Sequence, residues 1–205
     1  MTDSGKRQAV EFEMDHQRGK VSILDKMLAF HSAPTLMGQK TANFFNYKKE
    51  IAGVMQELIT EFLQKSQKKG IYIRTLCRCE NCVGVLVYNR LMMEEYLSKR
   101  SHVSLLHWFG YGRELGMDEK LALLKNRFEN DPCFPHEIGL FLGYPPADVM
   151  GFVRYGAKKA KTCGCWQVYG CEEESRKRFE CYKACKQYLC SQVEKGLTVA
   201  QVLKI

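Results

Sequence analysis

The sequence has no run of apolar residues approaching the roughly 18 that a membrane-spanning helix needs. Its first 20 residues (MTDSGKRQAVEFEMDHQRGK) contain no apolar core of the kind found in signal peptides. The phosphate-binding loop, the dinucleotide-binding fingerprint and the kinase motifs are also missing, and no Gly-x-Ser-x-Gly elbow surrounds Ser32. We therefore expect a cytoplasmic protein that lies outside the enzyme classes defined by these motifs.

The sequence does contain enough apolar residues for a folded core, since 45% of its 205 residues are hydrophobic and 26% are charged. The formal net charge is +8, and part of it lies in a stretch without acidic residues, at Arg154, Lys158, Lys159 and Lys161. Such a stretch is either a solvated loop or a surface that contacts phosphate or a protein partner. No nucleic-acid-binding motif and no interleaved aromatic residues accompany it, so we do not expect binding to nucleic acid.

Hydrophobic spacing predicts an amphipathic helix over residues 48–69, where apolar residues recur three or four positions apart and Gly70 follows as a stop signal. Apolar and β-branched stretches predict strands at residues 42–47, 71–76, 83–88 and 165–169, of which the middle two form a hairpin. A second long helix is predicted for about residues 172–194.

The predicted elements follow the order β-α-β-β-α, then a helical insertion over residues 100–160, then β-α. The first part matches a split β-α-β unit. We therefore predict an α+β fold, with a ferredoxin-like sheet of about four strands and helices on one face. In this interpretation residues 22–205 form a single domain, and residues 1–21 form an N-terminal arm that is either disordered or a frayed helix.

The first helix of this domain has a recognisable start and an expected end. Ser22 and Asp25 have the spacing of a capping box with an acidic first turn. We expect the helix to end near Ala33, because a proline such as Pro34 disfavours helical geometry in the residue before it. His31 would then lie beside a loop, where binding groups are common.

Ten cysteines is a high number for a cytosolic chain of this length. Without a secretory signal, we expect free thiols, metal ligands or redox chemistry and not a disulfide framework. Cys77, Cys79 and Cys82 lie at the tip of the predicted hairpin and are followed by Gly84. A glycine-containing turn of this kind allows two thiolates to face one ion, as in a zinc knuckle.

The last predicted strand offers further ligands for such an ion at Cys163, Cys165 and Cys171. Zinc or an iron–sulfur cluster is the alternative to unligated thiols at this site. Cys181 and Cys185 lie about one turn apart on the second long helix, where they are either a metal-binding pair or two free surface thiols.

Three stretches resemble a known family. They are residues 31–36 (HSAPTL) continuing to Lys40, residues 136–146 (HEIGLFLGYPP) and residues 163–170 (CGCWQVYG). Together they resemble the domain-of-unknown-function 3793 family of proteins from anaerobic bacteria, over about residues 22–203. The resemblance implies a cytoplasmic bacterial protein of one domain and supplies no activity. Cys79 and Cys82 do not belong to the pattern that carries it.

The same stretches contain the titratable residues that we consider candidates for a site. His31, His136 and Glu137 lie at turns or helix boundaries, and the predicted strand segment at residues 163–169 is punctuated by glycine. We predict that these segments converge on a pocket that binds a small molecule or a metal ion. Two alternatives stay open. One is an enzyme with His136 or Glu137 as acid or base and Cys163 as a reactive thiol, and the other is a non-catalytic interaction module.

Overall fold

The computed structural model describes residues 21–205. The N-terminal arm predicted for residues 1–21 therefore lies outside the described residues, apart from Val21. In the described part the fold is α+β, as predicted. Within residues 21–205 there is no helix both long enough and apolar enough to cross a membrane.

The main sheet has three antiparallel strands in the described residues, β1 (Ala42–Lys48), β2 (Ile71–Arg78) and β3 (Cys82–Asn89), in the order β1-β3-β2. Both outer strands are antiparallel to β3 and hence parallel to each other. Helix α2 (Ala52–Ser66), at the place predicted by the hydrophobic spacing, connects β1 to β2. This part of the chain is therefore a split β-α-β unit.

The expected fourth strand does not join this sheet. Residues 165–169 contain only the two-residue strand β5 (Gln167–Val168), which pairs with β4 (Thr162–Cys163) as a separate hairpin. Both strands are too short to extend a sheet, and the side chains around them are fixed by helices on either side. The prediction of about four strands in one sheet is corrected to three strands and a two-stranded hairpin.

In the part of the chain that the structure describes, eight further α-helices surround the strands and α2. Seven of them are α1 (Ile23–Leu36), α3 (Arg90–Ser98), α4 (Arg100–Trp108), α5 (Met117–Asn130), α6 (Ile138–Phe141), α7 (Pro146–Tyr155) and α8 (Glu172–Glu194). The eighth is the short helix α9 (Val199–Leu203). Helices α4 to α7 lie within the stretch predicted as a helical insertion.

The helices cover both faces of the sheet, and not one face as predicted. Val83, Val85 and Val87 of β3 lie in a core formed with α1, α2, α8 and α9. Leu86 and Tyr88, on the opposite face, lie in a second core formed with α3 to α7. Almost every position of β3 is apolar, which is the pattern of a strand buried on both faces.

Helix α1 begins as predicted but ends later. Ser22 caps it, and the Asp25 carboxylate accepts a hydrogen bond from the Ser22 backbone N–H, which completes the capping box. The helix continues through Pro34 to Leu36. A proline removes one backbone hydrogen bond of the preceding turn, and packing of α1 against α8 and the sheet compensates for that loss. His31 therefore lies within the helix, which continues to Leu36, and not beside a loop as predicted.

Candidate functional site

A cavity of about 400 Å³ lies between helix α6 with the residues just before it, helix α7 and the β4–β5 hairpin. Its walls are largely aromatic, with rings contributed by Phe44, Phe134, Tyr144, Phe152 and Trp166. We call it the aromatic cavity. Its volume is in the range of pockets that bind small organic molecules.

The polar groups that line the aromatic cavity are few, namely His136, Asp148, Cys165 and Gln167. A small number of polar groups in an apolar pocket is the arrangement that fixes the orientation of a ligand. The cavity thus brings together two of the three segments that the sequence singled out, the one around His136 and the one around Cys165.

His136 is exposed at the mouth of the cavity, two residues before α6 begins at Ile138. Its ring lies edge-on to Phe152, with 5.0 Å between ring centroids, and 5.9 Å from Phe134. The backbone behind it is tightly packed, since a Cβ atom added to Gly139 would lie 2.9 Å from Val149 Cγ2. These contacts pack the imidazole against Phe152 of α7 and hold α6 against α7.

Asp148 holds the hairpin wall of the cavity in place. Its side chain is buried, and Oδ2 accepts a hydrogen bond from Trp166 Nε1 at 2.7 Å. Oδ1 accepts hydrogen bonds from the backbone N–H groups of Tyr169, at 2.8 Å, and Gly170, at 2.7 Å. A carboxylate with three N–H donors is well satisfied. Asp148 therefore positions Trp166 from α7, and its carboxylate oxygens are already occupied.

Tyr144 lines the cavity and contacts both Trp166 and the buried Lys40. The Tyr144 and Trp166 rings are stacked, with centroids 4.8 Å apart and an angle of 25°. Tyr96 donates a hydrogen bond to the Tyr144 carbonyl at 2.9 Å, which fixes the loop from the α3 side. Burial raises the pKa of the Tyr144 hydroxyl, so this group stays protonated at neutral pH.

Lys40 lies beside the ring of Tyr144. Its side chain is buried, and the ammonium lies 5.1 Å from the ring centroid of Tyr144 and 5.5 Å from that of Tyr182. Burial lowers the pKa of Lys40 to about 8, and the nearby Cys165 opposes that shift. The converse holds at Cys165, where desolvation raises the thiol pKa and the positive charges of Lys40 and Lys186 act against it.

Glu137 does not line the aromatic cavity, although it is the neighbour of His136. It is buried and accepts a hydrogen bond from Arg127 at 2.6 Å and one from Tyr111 at 3.2 Å. Arg127 also donates to the Phe109 carbonyl at 2.6 Å and packs over the Tyr111 ring. These contacts connect α5 to α6, so in this structure the carboxylate of Glu137 takes part in an internal ion pair.

His31 also lies away from the cavity lining. It is exposed on α1, and its ring is parallel to that of Phe45 at a centroid distance of 5.0 Å. Partial burial lowers the pKa of His31, and the charge of Lys186 lowers it further. Phe45 faces the α1 side of the sheet, whereas the neighbouring Phe44 lines the cavity on the other side. Strand β1 therefore separates His31 from the cavity.

The cysteines predicted as metal ligands are all free thiols. Burial, followed by the influence of Cys79, raises the pKa of Cys77 to about 11, and desolvation raises the pKa of Cys82 as well. In residues 21–205 no three His, Cys, Asp or Glu side chains are grouped in a way that could hold a metal ion. Cys163 is exposed on β4, and Cys165 lines the cavity. Within residues 21–205, neither forms a metal-binding group with Cys77, Cys79 and Cys82.

Two residues important for the cavity were missed by the sequence reasoning. Asp148 is in the first turn of α7, where an acidic residue is expected merely for its interaction with the helix dipole. Lys40 belongs to one of the quoted stretches, but a lone lysine in a polar-looking turn gives no indication of burial. The one signal in the sequence is the position of Lys40 directly before the apolar segment that forms β1, where Thr41 and Ala42 are also buried.

The chain was also compared with known proteins. The model of a family described as "Protein of unknown function (DUF3793)" matches residues 28–203, which is most of the chain. No curated protein and no solved structure matches. The matched range includes all the elements that build the aromatic cavity. This chain therefore belongs to the DUF3793 family of proteins of unknown function.

Proposed function

We propose that the protein is a cytoplasmic small-molecule-binding protein, and that the aromatic cavity is its binding site for a planar organic ligand. The observation that supports this proposal best is a cavity of about 400 Å³ with five aromatic rings in its lining. Flat rings give a planar ligand a large contact area and prefer offset-stacked or edge-to-face geometries.

The polar groups support the same proposal. His136 lies at the mouth and Gln167 and Cys165 line the hairpin side, so hydrogen-bonding groups flank an apolar interior. Asp148 has its oxygens satisfied by Trp166, Tyr169 and Gly170 and acts as a positioning residue for the wall. A wall held by buried hydrogen bonds is preorganised, and preorganisation reduces the entropy lost on binding.

Binding of benzamide, followed by ligand-detected NMR and calorimetry, tests this function. We expect a Kd of about 1 mM or tighter, which corresponds to roughly −4 kcal/mol. Phe134→Ala removes an exposed ring from the rim and should weaken binding several-fold with little loss of stability, because Phe134 is 53% exposed.

Phe30→Ala is the matched control, since Phe30 has nearly the same exposure, 54%, and does not line the cavity. Its affinity for benzamide should equal that of the unmodified protein. Equal weakening by both substitutions, or no binding of benzamide by the unmodified protein up to several times the expected Kd, would refute the proposed function.

A further inference from the structure

Three cysteines lie on one face of the β2–β3 hairpin, close to its turn. Cys77 pairs with Gly84 across the hairpin, and the backbone N–H of Cys79 donates a hydrogen bond to the Cys82 carbonyl at 2.8 Å. Side chains two positions apart in a strand, or directly opposite each other on paired strands, point to the same face. The thiols of Cys77, Cys79 and Cys82 are therefore neighbours, and they lie outside the lining of the aromatic cavity.

A β-bulge determines which of these cysteines face each other. The pairing register of β2 and β3 shifts by one residue between Thr75 and Cys77. The shift brings Cys79 opposite Cys82 across a two-residue turn, whereas without it Arg78 would lie opposite Cys82. Residues joined across a hairpin by a backbone hydrogen bond have Cα atoms about 5.5 Å apart, within the range of roughly 4.4–6.8 Å that a disulfide spans. The hairpin thus holds Cys79 and Cys82 at a separation that suits a disulfide.

The three thiols differ in their access to solvent. Cys79 is exposed and Cys82 is half-buried, whereas Cys77 is buried. Burial, followed by the influence of Cys79, raises the pKa of Cys77 to about 11, so this thiol stays protonated at neutral pH and is a poor nucleophile. Cys79 is therefore the thiol that a small oxidant reaches first, and Cys82 is the partner opposite it.

Cys181 and Cys185 on α8 show that closeness in sequence is not sufficient for this geometry. They lie four positions apart on the helix, where the Cβ atoms of two such residues are about 5–6 Å apart. A disulfide needs roughly 3.5–4.5 Å between Cβ atoms. The helical pair is thus too widely spaced for a disulfide and serves as an internal control.

We propose that Cys79 and Cys82 form a reversible disulfide by exchange with a low-molecular-weight disulfide such as glutathione disulfide, which makes the end of the hairpin a redox-responsive site. The inference goes beyond the proposed function and does not depend on it.

The exchange takes place in two balanced steps. The Cys79 thiolate attacks one sulfur of glutathione disulfide, which gives a mixed disulfide and releases one glutathione thiolate. The Cys82 thiolate then attacks Cys79 Sγ, which closes the internal disulfide and releases the second glutathione thiolate. The two protein thiols lose two electrons and two protons, and glutathione disulfide takes them up to become two molecules of glutathione.

Tryptic digestion makes the test specific, because trypsin cleaves after Arg78 and Arg90. Peptide 79–90 (CENCVGVLVYNR) contains Cys79 and Cys82 and no other cysteine. The reduced protein is equilibrated with mixtures of glutathione and glutathione disulfide, quenched with acid, alkylated and analysed by mass spectrometry. With glutathione disulfide in excess, we expect a peptide 79–90 that is not alkylated and is about 2 Da lighter than the reduced form. Excess glutathione should return it to the form that is alkylated twice.

The variants separate the roles of the three cysteines. Cys82→Ser should stop the exchange at the mixed disulfide, with one glutathione on Cys79. Cys77→Ala is the matched control, and it should leave the equilibrium constant for the internal disulfide unchanged to within about twofold. Cys181 and Cys185 should form no disulfide with each other in the same samples.

The folded hairpin should also be necessary for efficient pairing. Because it holds the two thiols together, the equilibrium constant for the internal disulfide should be about tenfold larger in the folded protein than in the protein unfolded in urea. Equal constants would overturn the proposal, since sequence spacing alone would then account for the pairing. A peptide 79–90 that stays alkylated in excess glutathione disulfide, that carries glutathione without closing the disulfide, or that is linked to Cys77 would overturn it as well.

Discussion

The carboxylate of Asp148 offers the sharpest test of how the cavity wall is held. Asp148→Asn keeps the size of the side chain but replaces one acceptor oxygen with an NH₂ group. Because one oxygen receives Trp166 Nε1 and the other receives the N–H groups of Tyr169 and Gly170, either amide orientation places a donor against a donor. Each hydrogen bond to a charged group contributes about 1.5–3 kcal/mol.

In its better orientation the asparagine keeps the two backbone hydrogen bonds in weakened form and loses the one from Trp166. We therefore expect the free energy of unfolding to fall by about 3 kcal/mol. For a protein of this length that corresponds to a decrease in Tm of about 6–12 °C. The assay is urea and thermal unfolding in a Trp108→Phe background, where Trp166 is the only remaining tryptophan and reports on the wall directly.

Asp131→Asn is the control, because Asp131 is exposed and ends α5 through its backbone N–H. It should change the free energy of unfolding by less than about 0.5 kcal/mol. If Asp148→Asn loses less than about 1 kcal/mol and leaves the emission of Trp166 unchanged, then Asp148 does not hold the wall as we have argued.

Two further substitutions test other parts of the account. Glu137→Gln leaves the Arg127 guanidinium without its counter-charge and should lower the free energy of unfolding, measured by chemical denaturation, by about 2–3 kcal/mol. This is less than for a fully buried pair, because the Arg127 side chain is 20% exposed. The double substitution with Arg127→Met should cost clearly less than the sum of the two single changes, and additive costs would contradict the coupling. Gly84→Ala should lower the free energy of unfolding by about 2 kcal/mol, since the added Cβ would lie 2.6 Å from Cys77 Sγ and 2.7 Å from Phe44 Cζ. Gly53→Ala on α2 is the control, because an added Cβ there would have no atom within 4 Å, and it should be neutral or stabilising. Equal effects of the two substitutions would argue against tight packing at β3.

Local patterns in the sequence predicted the elements that depend on local interactions. The apolar spacing of α2 and the capping box at Ser22 are determined by residues three or four positions apart, and the structure has both. The hairpin of β2 and β3 is likewise a contact between neighbours in sequence. For these elements the pattern and the cause of the structure lie within the same few residues.

The features that were not predicted depend on contacts between distant segments. Pro34 remains helical because α1 packs against α8, about 150 residues further along the chain. The apolar sequence of β3 is typical of a strand buried on both faces, but it does not say which segments cover the second face; those are helices that follow it in the chain. At Pro34, tertiary packing overrode local propensity.

The candidate site shows the same division. His136 and Cys165 were selected from their turns, and both line the cavity. Glu137, the residue after His136, points away from the cavity and pairs with Arg127 of α5, a contact between segments that the local sequence does not show. Lys40 and Asp148 became visible only through burial, which is a property of the whole fold.

The most direct test of the central claim is a crystal structure of the protein grown with benzamide. The account predicts the benzamide ring inside the aromatic cavity, in contact with the aromatic side chains that line it. Benzamide bound at another surface while the cavity holds only water would contradict it.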